Sequence, residues 1–203
     1  MTMAKDANSP FQMIKLGLIL ALYATVSCTI LAFVNYATKG KIEQNQINKA
    51  NEAMKAVIAD ADEFEKIDNF ETNEDPSITI SSVYLAKSNG TVIGGVAQVS
   101  GPTYDKATII VGLRTNGIVT GIQFLELTDS PGFGLKANDP TFTLANGKTF
   151  YGQFEGLEAK KGFAVGSEID AISGATITSV GIANLVHAGT ESLAKYFTEH
   201  NYE

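Results

Sequence analysis

The seven residues Asp170-Ala171-Ile172-Ser173-Gly174-Ala175-Thr176 combine an acid, a flexible turn and hydroxyls within one short segment. Gly174 lets the chain turn sharply and lets a ligand approach the backbone. Ser173 and Ala175 are small and keep the surroundings open. Helical periodicity follows from Ile177 to Phe197, so Thr176 falls at the start of a helix. There, unpaired N–H groups and the positive end of the helix dipole favour an anion. Thr178 and Ser179 add hydroxyls within the same turn. The chemistry this suits is phosphate, either held or esterified to the Thr176 hydroxyl. A plainer reading makes Ser173 or Thr176 an N-cap, but the full composite before a helix is much rarer than a lone cap.

A second segment, Asp129-Ser130-Pro131-Gly132-Phe133-Gly134, is rich in turn formers. Asp129 has two open roles there: accepting from a ligand's N–H or accepting from the loop backbone. Lys136 follows the loop and reads as a surface lysine, with an approach to a bound phosphate as the lesser alternative. His187 reads as a helix-surface or core residue, and His200 as part of a frayed tail.

Composition narrows the field. The chain has 203 residues with one Cys, two His, 22 acidic and 15 basic side chains. A single Cys excludes an internal disulfide and a cysteine-held iron–sulfur cluster. So few His and Cys make a zinc site an unpromising expectation, and no metal is expected. The net charge of -7 argues against nucleic acid as a partner.

The charges are unevenly placed. Leu16 to Thr38 carries none, between Lys15 and Lys39. About 20 residues of helix cross a bilayer, so residues 16–38 are expected to be a single transmembrane helix after a short cytoplasmic tail, 1–15. Cys28 reads as an inert thiol within the span. Ile42, Ile47, Ala50, Met54, Val57 and Ile58 recur at helical spacing, which predicts an amphipathic stalk helix within 39–60. Asp60 to Pro76 is acidic and reads as a surface loop. Strand-like runs at 78–86 and 91–99 flank Ser88-Asn89-Gly90, and runs at 107–114 and 118–127 flank Thr115-Asn116-Gly117. Asn-Gly between apolar β-branched runs predicts a hairpin. Phe142, Phe150, Tyr151, Phe154 and Phe163 are expected in the core, with Val180, Leu185, Val186, Leu193 and Phe197 as the apolar set of the last helix. The fold class expected is α+β: an N-terminal span, then a mixed domain over 61–203 with antiparallel hairpins and a C-terminal helix.

Asp170 to Thr176 resembles the flavinylation motif of FMN-binding domains. These occur in the G subunit of the Rnf electron-transport complex and in the C subunit of the sodium-translocating NADH:quinone oxidoreductase. The resemblance implies FMN joined through its phosphate to Thr176 by a flavin transferase, which takes FMN from FAD and recognises Asp170 and the small residues Ser173, Gly174 and Ala175. Asp129 to Gly134 is similar to the family's upstream Glu-Thr-Pro-Gly-Leu-Gly, with Asp for Glu, Ser for Thr and Phe for Leu. It implies flavin contacts from Asp129, Ser130, Gly132, Phe133 and Gly134, while Thr178 joins the phosphate end. Tail, span, stalk and strand-rich domain match the Rnf protein in organisation, and the chain length favours it over its counterpart in the quinone reductase. The expectation is therefore a single-pass membrane protein with its FMN domain on the extracytoplasmic side. It would relay electrons within an ion-translocating ferredoxin:NAD⁺ oxidoreductase, with membrane lipid and the other Rnf subunits as partners and no complete active site of its own. The alternative from another class is a cofactor-free, membrane-anchored binding module.

Overall fold

The computed structural model describes residues 10–71 and 75–202. The first nine residues of the expected tail lie outside them, as do three residues of the expected acidic loop. The chain divides into two compact units, residues 1–48 and 49–203.

Helix α1 runs from Pro10 to Val57. Proline suits a first helical position, since its fixed φ is helical and its missing N–H has no partner there anyway. The most apolar window of α1 has a mean hydropathy of 2.2 and none of it is buried within the chain, so α1 is long and apolar enough to cross a membrane. Its three threonine hydroxyls are satisfied locally. The Thr25, Thr29 and Thr38 hydroxyls donate to the carbonyls of Ala21, Thr25 and Val34, each at 2.8 Å, which is what hydrocarbon requires of a hydroxyl. The expected stalk is the continuation of the same helix rather than a separate one. Gly40 is the only breaker near the junction, and one interior glycine costs only about 1 kcal/mol.

In the second unit, five antiparallel strands lie in chain order: β1 Glu63–Ile67, β2 Thr79–Ser88, β3 Thr91–Pro102, β4 Lys106–Arg114 and β5 Val119–Leu127. Both expected Asn-Gly hairpins form. Asn89 and Gly90 take φ of 50° and 77°, giving a two-residue turn between β2 and β3. Gly117 takes 79° and donates to the Arg114 carbonyl at 2.9 Å, giving a longer turn between β4 and β5. Strand β1 corrects the expected loop over 60–76. It pairs with β2 from Glu63↔Lys87 to Ile67↔Val83. Glu63, Glu65 and Lys66 face solvent while Ile67 is buried, and Glu65 pairs with Lys87. Charged side chains suit an edge strand, and here the neighbouring edge of β2 dictates structure that local composition does not.

Alternation along β3 and β4 loads both faces of the sheet. Ala97, Val99, Ile109, Val111 and Leu113 join the larger core beneath α2, which spans Thr176–Glu199. Val96 and Ile110 join the smaller core with Ala53, Met54 and Val57 from the last turns of α1. The connection from 128 to 175 is mostly loop with three short 3₁₀ turns. Phe150, Phe154 and Phe163 anchor it in the larger core as expected, with ring centroids 5.7 and 5.8 Å apart along the series. Phe142 and Tyr151 are only partly buried.

Glycines set how closely α2 approaches the sheet. A Cβ at Gly181 would lie 2.7 Å from both the Pro102 carbonyl oxygen and Thr103 Cα. Those are backbone atoms with no rotamer to yield, so Gly181→Ala must lift the start of α2 from the β3–β4 turn. We expect a loss of roughly 1–3 kcal/mol in urea unfolding, in line with overpacked sites. An unchanged midpoint would show that this approach is not close.

Candidate functional site

The site is built where three segments meet: the β3–β4 turn, the loop after β5 and the N-terminus of α2. Asp129 joins all three. It is only 2% exposed. Its carboxylate accepts from the hydroxyls of Thr103 and Thr178 and from the backbone N–H groups of Asp105 at 2.9 Å and Tyr104 at 3.4 Å. Burial by itself would raise this carboxyl's pKa. The two hydroxyls and the two amides outweigh it and hold the group below the ordinary carboxylate value. Asp129 does bond backbone, but that of the β3–β4 turn and not that of its own loop.

The loop after β5 must press against this latch. A Cβ at Gly134 would come within 2.6 Å of Asp129 Cβ, Asp129 Oδ2 and Thr178 Oγ1, so only glycine fits. Phe133 is thereby turned outward, 57% exposed. Gly174 adopts φ +79°, and a Cβ there would stand 3.2 Å from Phe133 Cδ1. The two motifs read separately from the sequence are thus neighbours.

Between them opens a groove of about 600 Å³, lined by Tyr104, Ser130, Pro131, Phe133, Gly134 and residues 174–178. Tyr104 and Ile177 are 67% and 62% exposed and give it an apolar rim. At its polar end is the start of α2. No side chain caps that helix, so neither Ser173 nor Thr176 is the N-cap of the plainer reading. The Ser179 hydroxyl accepts from the Ile172 N–H and donates to the Ala175 carbonyl, both at 3.0 Å, and so ties the motif loop to the first turn. Thr176 is exposed on the groove. Among the described residues its hydroxyl has no partner. An uncapped helix start with a free hydroxyl can receive a phosphate as an anion or as an ester.

Each residue expected at the site has a definite place. Ser130, Phe133, Gly134, Gly174, Ala175, Thr176 and Thr178 line the groove. Ser173 and Gly132 are exposed on the two loops beside it. Thr178 is 1% exposed, with its hydroxyl committed to Asp129. Asp170 stands apart, exposed, with a carboxylate oxygen 2.9 Å from Asn146 Nδ2. Lys136 lies over the Phe142 ring, 5.1 Å from its centroid, outside the groove. His187 is exposed and edge-on to Phe163. His200 corrects the frayed-tail expectation, because it stacks on Tyr196 at 4.0 Å and bonds its carbonyl at 3.0 Å. Val180, expected among the apolar set of α2, is exposed. It belongs to an outer stripe with Ile177, Asn184 and His187 at spacings of three and four.

Sequence reasoning missed Tyr104, Thr103, Ile177 as a rim residue, Asn146 and Gln153. None had a local signal. Thr103 and Tyr104 fall between the strand-like runs at 91–99 and 107–114, and their link to Asp129 spans about 25 residues. Among the described residues, no three His, Cys, Asp or Glu side chains gather as a metal site.

Comparison with known proteins bears on this arrangement. A family profile described as an FMN-binding domain matches residues 104–191, which begins at the rim tyrosine and takes in the whole groove. A second profile, described as the RnfG N-terminal region, matches residues 3–57 and ends with α1. The chain is 31% identical to the G subunit of the Na⁺-translocating ferredoxin:NAD⁺ oxidoreductase complex of Acetobacterium woodii, over 85% of this chain and 87% of that one. It is 30% identical to the G subunit of an ion-translocating oxidoreductase complex of Shewanella piezotolerans, over 93% and 91% of the two chains. It is 26% identical to the G subunit of the proton-translocating ferredoxin:NAD⁺ oxidoreductase complex of Clostridium ljungdahlii, over 95% and 96%. Two profiles that meet the two structural parts, and relatives matched nearly end to end, place the chain in the RnfG family, the G subunits of ion-translocating oxidoreductase complexes.

Proposed function

We propose that this protein is a membrane-anchored electron carrier whose FMN is joined through phosphate to Thr176, and that it relays electrons within an Rnf-type ferredoxin:NAD⁺ oxidoreductase. The observation that carries the reading is the exposed, unpartnered Thr176 hydroxyl at an uncapped helix start, opening onto the groove. The groove suits the group. Its volume of about 600 Å³ lies within the roughly 300–1,000 Å³ usual for cofactor clefts. The apolar rim of Tyr104, Phe133 and Ile177 fits a flat aromatic ring, and the helix start fits a phosphate.

Attachment is a group transfer from FAD performed by a flavin transferase. The Thr176 oxygen bonds to the phosphorus that bears riboflavin, the bond within the FAD pyrophosphate breaks, AMP leaves, and the hydroxyl proton passes to the transferase. FMN supplies one- and two-electron chemistry when bound. The chain's own residues do the rest. The start of α2 would meet the phosphodiester charge, the rim residues would shield the ring from water, and Asp129 holds the three walls together. A covalent bond matters for a carrier exposed outside the cell, where residence by affinity alone fails on dilution. The apolar span of α1 keeps the domain beside its partner subunits, with lipid around it and the domain on the extracytoplasmic side.

The test is co-expression of the full chain with a flavin transferase, followed by a denaturing gel under ultraviolet light. A fluorescent band at the chain's mass is expected. A dark band from a transferase that flavinylates a known substrate in the same cells rejects covalent attachment.

A further inference from the structure

Outside the groove, Asn146 and Gln153 form a closed hydrogen-bond network that ends on the first residue of the motif. Asn146 stands in a tight turn where the Leu144 N–H donates to the Lys148 carbonyl at 2.9 Å. Its Oδ1 accepts from the Lys148 N–H at 2.9 Å, which decides the orientation of the amide. Its Nδ2 therefore points the other way and donates to Gln153 Oε1 at 3.1 Å and Asp170 Oδ2 at 2.9 Å. Gln153 is buried and closes on the Asp170 backbone from both sides. Its Oε1 accepts from the Asp170 N–H at 2.9 Å, and its Nε2 donates to the Asp170 carbonyl at 3.2 Å. The remaining Nε2 hydrogen reaches the Phe150 carbonyl at 3.4 Å. All four amide hydrogens of the two side chains are used, and both oxygens accept.

The effect is specific. Asp170 is held at its N–H, its carbonyl and its carboxylate, yet it stays exposed. Farther along the motif, Ser173, Gly174 and Thr176 are also exposed, whereas Ile172 and Ala175 are buried. The motif is a finished surface, with its readable groups outward and its apolar groups serving the core. A partner that docks on a loop already fixed loses no affinity to ordering it.

Resting on the flavinylation reading above, the geometry points to Asn146 and Gln153 as positioning residues that present Asp170 to the flavin transferase. The test follows flavin incorporation into the purified apo full-length chain in detergent, with FAD saturating and the chain varied. Asn146→Ala changes an exposed turn residue, so its thermal melt should match wild type. Its kcat/KM for the transferase should fall about tenfold, the factor of roughly one net hydrogen bond, mainly through KM. Asp170→Ala should fall at least as far, and the double variant no further than Asp170→Ala alone, because the two act as one unit. Wild-type loading of Asn146→Ala, or multiplied effects in the double variant, would each overturn the proposal. A wild-type chain that takes up no flavin, or a Thr176→Ala chain loaded at the same peptide, rejects the underlying reading instead.

Discussion

Thr176→Ala is expected to remove all covalent flavin and leave the fold intact. When the variant is produced with the transferase, intact-mass measurement should find the unmodified chain, and the denaturing gel should show no fluorescence. The effect is all-or-none because an ester needs an oxygen, and alanine has none to offer. The neighbouring hydroxyls do not substitute. Thr178 is buried and bonded to Asp129, and Ser179 is buried and bonded to the Ala175 carbonyl. Folding should be indifferent, since Thr176 is exposed and does not cap α2. A stability change within about 0.5 kcal/mol is the expectation for such a surface position. Thr176→Ser keeps the oxygen and should load at least partly. A Thr176→Ala chain that still carries the flavin on another residue would falsify the assignment of the attachment point.

Asp129→Ala is expected to damage the protein more than any other single change at the site. It strips the shared acceptor from two hydroxyls and two backbone amides in a buried setting. The hydroxyls can turn to other acceptors, but the N–H groups of Tyr104 and Asp105 cannot. Unpairing a fully buried donor costs about 1–3 kcal/mol, and these two amides are only part-buried, so a loss of roughly 2–4 kcal/mol is expected. That is a large share of the total stability of an ordinary domain, about 5–15 kcal/mol. Asp129→Asn keeps shape and one acceptor oxygen and should lose less. The pH dependence separates charge from shape. The folded carboxyl titrates below its unfolded value of about 3.9. Its extra stabilisation is therefore complete above that value and is lost as pH falls from there through the lowered folded value. In urea melts the gap between wild type and Asp129→Asn should be constant near neutrality and narrow only below about pH 4. A gap that stays unchanged on acidification would show that the carboxylate charge contributes nothing. Because the latch joins the turn bearing Tyr104 to the helix bearing Thr176, both variants should also load flavin more slowly.

How much of this could be read along the chain depended on distance in sequence. The uncharged run between Lys15 and Lys39, the Asn-Gly turns and the helix after Thr176 are local patterns. Each is written by the period of a helix, the φ tolerance of Asn and Gly, or the length needed to cross a bilayer. The same holds for the phosphate chemistry proposed for residues 170–176, since a hydroxyl beside a helix start needs no distant partner. Strand β1 was hidden because Glu63-Phe64-Glu65-Lys66-Ile67 has too few apolar residues to announce a strand. It exists because the β2 edge offers it a ladder.

By itself the sequence determined an apolar helix long enough to cross a membrane, the hairpins, the α+β class and the threonine that a phosphate could reach. Only the tertiary structure decided which side chains surround that threonine and what holds them. Asp129 meets Thr178 across 49 residues, Thr103 across 26, and Asn146 meets Asp170 across 24. Turn and helix preferences act over a few bonds. A buried hydrogen bond is set by where the whole chain has packed, so neither partner carries a mark of the other in its own neighbourhood.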